Sequence, residues 1–226
     1  RNLVVIGAGA GGLVSAYLAA AVKARVTLVE ARDMGGDCLN TGCVPSKALI
    51  RSATLAHQMR HASRYGLTDT APEVDFKAVM QRVRQVIRTI APHDSVERYT
   101  ALGVEVLQGH ATLVNPWTVA VALKHGETRS LTTRAIIIAT GARPIIPPLP
   151  GLDDVGCLTS ETLWEAFATL DHLPRRLAIL GGGPIGCELA QSLQRLGAQV
   201  MLIEATPRLL GQEDDEVCAL VQAALA

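Results

Sequence analysis

Aromatic residues are scarce in this sequence. They make up 3 % of 226 residues, with two tryptophans, three tyrosines and two phenylalanines. Its cores must therefore be packed with Ala, Val, Leu and Ile, drawn from an apolar fraction of 49 %. An excess of charge is missing too. The 21 basic and 21 acidic residues cancel, which leaves no electrostatic footprint for nucleic acid or an anionic membrane. Glycine and charged residues interrupt every apolar run, so no membrane-spanning helix is expected. No secretory leader pattern is visible, because the first residues read directly as a strand. Nor is there a disulfide framework. The five cysteines, Cys38, Cys43, Cys157, Cys187 and Cys218, are odd in number, and only the first two lie close together. That usage fits a reducing, cytoplasmic setting with one special pair.

What is present is a βαβ pattern that occurs twice. Leu3 to Ile6 is a short apolar run of the kind that forms a strand buried on both faces. A glycine-rich turn follows, then a helix over Leu13 to Val22 and a second strand over Arg25 to Glu30. The same order recurs as a strand at Leu177 to Leu180, a glycine turn, a helix at Glu188 to Leu196 and a strand at Gln199 to Glu204. Between the copies the pattern predicts a helix from Pro45 to about His61, proline being suited to a first helical turn. A long helix follows from about Asp75 to Leu102, broken near Pro92, with Val79, Val83, Val86, Ile87 and Ile90 at helical spacing. Strands are expected over Val104 to Leu107, Ala111 to Leu123 and Ser130 to Ala139, and a helix from about Asp214. The proline-rich stretch Pro144 to Gly151 reads as a linker. The length suits two domains. The expected fold is α/β, with two Rossmann-like dinucleotide-binding domains over 1–148 and 149–226, the second only partly represented.

Each glycine turn carries G-x-G-x-x-G in its proper context, with a strand before, a helix after and an acid closing the next strand. The first copy uses Gly7, Gly9, Gly12 and Glu30, and the second uses Gly181, Gly183, Gly186 and Glu204. The step from first glycine to acid is 23 positions in both. In such a motif the first glycine permits a tight turn, the second lets the backbone approach a pyrophosphate, and the third lets helix and strand pack closely. The helix N-terminus adds donors and a favourable dipole, and the acid accepts from a ribose. Two sites imply two dinucleotides, with FAD and a nicotinamide as the natural pair. In the second copy a carboxylate at Glu204 favours NAD over NADP, since a 2′-phosphate would meet like charge. The next residues are Ala205, Thr206 and Pro207, and the nearest arginine is Arg208.

Cys38 and Cys43 enclose Leu39-Asn40-Thr41-Gly42, just before the helix expected at Pro45. A bridge closing so short a loop removes little chain entropy and is a poor staple. A pair near a helix N-terminus suits thiolate chemistry instead, and Lys47 adds positive charge one turn on. Zinc is the main rival, but no second cysteine pair accompanies this one. His57 and His61 stand at i, i+4 without a third ligand and read as a solvated helix face. No metal site is expected.

The run Gly35-Gly36-Asp37-Cys38-Leu39-Asn40-Thr41-Gly42-Cys43-Val44-Pro45-Ser46-Lys47 resembles the redox motif of the class I pyridine nucleotide-disulfide oxidoreductases. That group includes dihydrolipoamide dehydrogenase, glutathione reductase and mercuric reductase. Both glycine motifs and Ala139-Thr140-Gly141 stand in the same family order. The resemblance implies that reduced nicotinamide passes hydride to FAD, which reduces a Cys38–Cys43 disulfide. Cys43 would face the flavin as the charge-transfer thiolate, and Cys38 would be the interchange thiol. Lys47 would lie beside the flavin and pair with Glu188. FAD would be held by Gly7, Gly9, Gly12, Glu30, Lys47, Ala111, Thr140 and Gly141. The nicotinamide cofactor would be held by Gly181, Gly183, Gly186 and Glu204. The substrate would be a small-molecule disulfide or dithiol, or a thiol-bound metal ion, and the whole protein a homodimer.

Two positions depart from the family pattern. Asp37 stands where a threonine is usual, and Pro184 where glutathione reductase has a gating tyrosine. The family's dimerisation domain, with its His-Glu base, has no counterpart within these residues. A different class of function is therefore also open, a truncated, non-catalytic FAD- and NAD-binding module of the same fold.

Overall fold

The structure, a computed structural model, describes residues 1–225. Its elements run β1 (Leu3–Ile6), α1 (Ala10–Ala21), β2 (Val26–Glu30), α2 (Gly36–Asn40), α3 (Cys43–Arg60), α4 (Phe76–Ile90) and α5 (Val96–Ala101). There follow β3 (Glu105–Asn115), β4 (Thr118–Leu123), β5 (Thr128–Thr132), β6 (Ala135–Ile138), α6 (Leu163–Ala168), β7 (Arg176–Leu180), α7 (Pro184–Arg195), β8 (Gln199–Ile203) and α8 (Asp215–Leu225). The chain divides into two compact units, Arg1–Pro45 with Gln85–Leu163, and Ser46–Arg84 with Trp164–Ala226.

The first unit is built on a six-stranded sheet of order β5-β4-β3-β2-β1-β6. β1 pairs in parallel with β2 and β6, and β2 pairs in parallel with β3. Every residue of β2 is buried, as expected of a strand covered on both faces. On one face, Val5 and Leu28 pack with Leu13 and Ala16 of α1 and with Tyr99 of α5. On the other, Val4 and Val29 pack with Val119 and Val121 of β4 and Leu131 of β5. The second unit holds the parallel pair β7–β8 and α7, which buries Cys187, Ala190 and Leu193. Phe76 and Phe167 meet there edge to face, with centroids 5.5 Å apart.

Two expected strands are each divided. The run Ala111 to Leu123 is a hairpin in which β3 and β4 pair antiparallel. Pro116 has no N–H to give a ladder, and the Trp117 N–H turns back to Asn115 Oδ1 at 2.9 Å. Ser130 to Ala139 breaks at Thr133, whose hydroxyl donates to the Ala135 carbonyl at 2.8 Å. The break is required by topology. β5 belongs to the antiparallel meander with β4, whereas β6 joins the parallel layer beside β1. The helix expected over Asp75 to Leu102 does break near Pro92, at a 3-10 turn over Ala91–Asp94. Among the described residues no helix is long and apolar enough to cross a membrane.

Candidate functional site

In the first unit Gly7 sits at the end of β1 with φ 103°, a left-handed conformation that only glycine adopts without strain. Its N–H donates to the Val29 carbonyl at 2.8 Å. A Cβ there would lie 2.1 Å from the Ala139 carbonyl oxygen, and one on Gly12 would lie 1.8 Å from the Gly7 oxygen. Strand, helix and loop thus touch through backbone alone. Glu30 is buried. Its Oε2 accepts from the Ala8 N–H at 2.6 Å and its Oε1 from the Arg32 N–H at 2.7 Å, so the carboxylate is fixed beside the glycine loop. The loop opens on a cleft of about 1090 Å³, lined by Gly7, Gly9, Glu30, Ala111, Thr140, Gly141 and Cys38 among others. Gly12 has a packing role instead. Thr140 and Gly141 arrive because β6 lies in register with β1, Ile138 opposite Ile6. Ala111 arrives where β3 turns from the parallel layer into the meander.

Cys38 stands at that cleft because α2 is tied to the same loop. The Gly35 N–H donates to the Ala8 carbonyl at 2.9 Å. Gly36, with φ 55°, passes so close that a Cβ on it would lie 2.6 Å from Gly9 Cα. The Asn40 amide closes the turn with bonds to the Met34 and Gly36 carbonyls at 3.1 and 2.9 Å. Cys38 lies half-buried on α2 and Cys43, exposed, opens α3. Where a disulfide is expected, the structure shows Cys38 and Cys43 unbridged, as are Cys157, Cys187 and Cys218. The tight turn between α2 and α3 brings Cys38 into hydrogen-bonding contact with Cys43. Burial pushes the Cys38 thiol above its ordinary value, and the neighbouring Cys43 adds to this. Asp37 also lines the cleft.

The second unit repeats the hydrogen bonds of the first loop. Gly181 has φ 107° and donates to the Ile203 carbonyl at 2.8 Å. A Cβ on Gly186 would lie 1.9 Å from the Gly181 oxygen. Glu204 Oε2 accepts from the Gly182 N–H at 2.7 Å, and Oε1 from the Thr206 N–H at 2.8 Å. These backbone donors hold the carboxyl below its usual range. Gly183 caps α7, and Pro184 is its first residue. The same fingerprint, built twice in backbone geometry, is joined here by a family comparison: the pyridine nucleotide-disulphide oxidoreductase model matches residues 1–226. The chain belongs to the pyridine nucleotide-disulphide oxidoreductase family.

Within this family the chain is 37 % identical over 223 residues to a dihydrolipoyl dehydrogenase of Zymomonas mobilis, covering 97 % of this chain and 46 % of that one. It is 35 % identical over 224 residues to a mercuric reductase of Bacillus cereus, covering 99 % and 34 %. The chain thus spans less than half the length of these relatives. Among solved structures, the HOCl-induced flavoprotein disulfide reductase RclA from Escherichia coli matches with a TM-score of 0.78 at 28 % identity, over 100 % of this chain and 47 % of that one.

The family motif pairs Lys47 with Glu188, and in the second unit Lys47 Nζ lies 2.8 and 2.7 Å from the two Glu188 carboxylate oxygens. Burial is not what drives this pair. The side chains are 60 % and 41 % exposed, so the pair contributes less than about 1 kcal/mol to stability. His57 and His61 stack at 4.2 Å between ring centroids, and burial, followed by Arg195, holds His57 below its ordinary value. Among the described residues no group of three or more His, Cys, Asp or Glu side chains comes together.

Two residues at these sites carried no signal in the motifs. Cys187 donates from its thiol to the Gly182 carbonyl at 3.3 Å inside the second loop; its place directly after the third glycine could have marked it. Glu161 lines the first cleft from a loop with no pattern of its own.

The redox state of the pair can be counted. In protein isolated without reductant, denaturation is expected to expose three thiols, Cys157, Cys187 and Cys218, and prior reduction five. Five thiols in both samples would exclude a resting disulfide.

Proposed function

We propose that this chain supplies both dinucleotide sites and the reactive thiols of an FAD- and NADH-dependent oxidoreductase. It would act through the Cys38–Cys43 pair on a small-molecule disulfide or dithiol, or on a thiol-bound metal ion. One observation carries the reading: Cys38 opens on the same cleft as the first glycine loop and Glu30. A thiol and a dinucleotide in one cleft suit electron exchange between them. The alternative of a non-catalytic nucleotide-binding module leaves that shared cleft without a purpose.

The first cleft fits FAD. Its volume of about 1090 Å³ lies just above the usual range for ligand sites and suits a dinucleotide. The glycine loop gives a pyrophosphate close access to backbone N–H groups, because no Cβ stands over it. Gly7, Gly9, Ala111, Thr140 and Gly141 would line the cofactor, Gly12 would set the loop, and Glu30 would accept from its ribose. Lys47 is assigned to the flavin end by the family motif. Bound there, FAD would couple hydride chemistry to thiol chemistry. Gly181, Gly183, Gly186 and Glu204 would hold the nicotinamide cofactor. We assign 1–148 to the FAD domain and 149–226 to the nicotinamide domain, with Ser46–Arg84 packed into the second unit and Glu161 and Thr162 lining the first cleft.

The thiols do the substrate chemistry. The Cys38 thiolate attacks one sulfur of a substrate disulfide, forming a mixed disulfide and releasing one thiolate. Cys43 attacks Cys38, closing their disulfide and releasing the second thiolate. The two thiol protons end on the departing sulfurs. Burial raises the Cys38 thiol above its ordinary value, and Lys47, held by Glu188, supplies positive charge one turn after Cys43. The whole protein is taken to be a cytoplasmic homodimer.

Anaerobic stopped-flow mixing of the FAD-loaded, full-length protein with NADH tests the reading. The flavin band is expected to bleach, and the count of titratable thiols to rise by those of Cys38 and Cys43. Bleaching without new thiols would favour the nucleotide-binding module. The same experiment compares cofactors. Arg208 is turned away from Glu204, pairing with Asp215 and donating to the Gly211 carbonyl at 3.0 Å. Glu204 therefore keeps its charge free for ribose hydroxyls, and NADH should exceed NADPH in kcat/KM by about 10- to 100-fold. Glu204→Ala should erase most of that ratio. A higher kcat/KM for NADPH would refute the assignment.

A further inference from the structure

Glu161 stands in the first cleft with a carboxylate oxygen that accepts no hydrogen bond. Its Oε1 is shielded from solvent and no protein group hydrogen-bonds it. The nearest cation, the Arg32 guanidinium, is 3.7 Å away, beyond hydrogen-bond length. Buried carboxylate oxygens are costly without donors, so the site is built for a donor that arrives with a ligand.

Its position says which donor. Arg32 is the residue whose N–H fixes Glu30 Oε1. Glu161 beside it therefore lies at the end of the cleft where the fingerprint acid meets the adenosine ribose. An adenosine carries two kinds of donor, the ribose hydroxyls and the exocyclic amine of adenine. Glu30 serves the hydroxyls. We propose that Glu161 accepts a hydrogen bond from the exocyclic amine of the FAD adenine, and so selects adenine at this site. A base with a carbonyl at that position would present oxygen to oxygen and be repelled. The inference rests on FAD occupying the first cleft. It adds a specificity-determining residue from outside the glycine and cysteine motifs.

The test uses full-length apoprotein, with flavin fluorescence titrated against FAD and against its inosine analogue, in which a carbonyl replaces the amine. Wild type is expected to bind FAD at least about 10-fold more tightly than the analogue, as for a hydrogen bond to a charged group. Glu161→Ala should weaken FAD binding by a similar factor and abolish the preference. Glu161→Gln, which keeps an acceptor oxygen, should retain part of it. The melting temperature of the apoprotein should change little in Glu161→Ala, because the oxygen accepts no hydrogen bond there and its 3.7 Å pair with the exposed Arg32 is weak. Equal binding of FAD by wild type and Glu161→Ala would overturn the inference alone. So would equal losses for both cofactors, which would mark a merely structural pair with Arg32. A wild-type protein that binds neither flavin would overturn the FAD reading itself, and this inference with it.

Discussion

Replacing Cys38 with serine is expected to abolish NADH-driven reduction of a disulfide substrate, lowering turnover by on the order of 10⁴-fold or more, as loss of a nucleophile does. The hydroxyl is nearly isosteric with the thiol but does not ionise near neutral pH, and it cannot close a disulfide. Cys43→Ser should be as severe, because the mixed disulfide on Cys38 would have no resolving thiol. Neither change should disturb the fold. Cys43 is exposed and Cys38 only half-buried, so a stability change within about 0.5 kcal/mol is expected. Bound flavin should still be bleached by NADH in both variants, which separates the cofactor step from the thiol step. Steady-state turnover and single-turnover bleaching measure the two. Disulfide reduction surviving within about tenfold of wild type in either variant would remove the pair from the reaction.

The second large effect is expected at the third glycine of each motif. A Cβ on Gly12 would stand 1.8 Å from the Gly7 oxygen, and one on Gly186 would stand 1.9 Å from the Gly181 oxygen. Neither obstacle can swing aside, because both are backbone. Gly7 is held by its bond to Val29 and lies against Ala139 on its other side. Gly12→Ala must therefore push α1 off β1, at a cost of about 3 kcal/mol. Because the loop that moves is the pyrophosphate cradle, FAD affinity should fall about 100-fold. Gly186→Ala should damage the second site in the same way. FAD should stay bound, while the NADH concentration needed for half-maximal bleaching rises. Gly11→Ala is the control. A Cβ there meets nothing within 4 Å, and alanine within α1 should leave stability unchanged or raise it by up to about 1 kcal/mol. Retention of FAD affinity in Gly12→Ala would show that the close approach at this loop is dispensable.

The parts of this protein legible in the sequence are those written over short spans. Glycines before a helix, an acid 23 positions later and two cysteines beside a helix start each draw their meaning from neighbours in one βαβ unit or one turn. The structure accordingly shows Glu30 and Glu204 held in matching ways, each by a backbone N–H of its loop and by the N–H two residues on. Neither the division of Ala111 to Leu123 nor that of Ser130 to Ala139 was readable from hydrophobic pattern, because a β run looks the same whether it continues or changes layer. Sheet order decided both.

Sequence alone thus determined that two dinucleotide loops and a thiol pair exist, because backbone sterics at glycine and the reach of a single helical turn are local. The family resemblance implied Ala111, Thr140, Gly141 and the Lys47–Glu188 pair, but tertiary structure is what brings them together. Ala111, Thr140 and Gly141 reach the first cleft only through the pairing of β3 and β6. Lys47 finds Glu188 across 141 positions. Glu161 comes beside Arg32 from a loop with no pattern. Such contacts follow from strand order and register, which depend on packing across the whole unit.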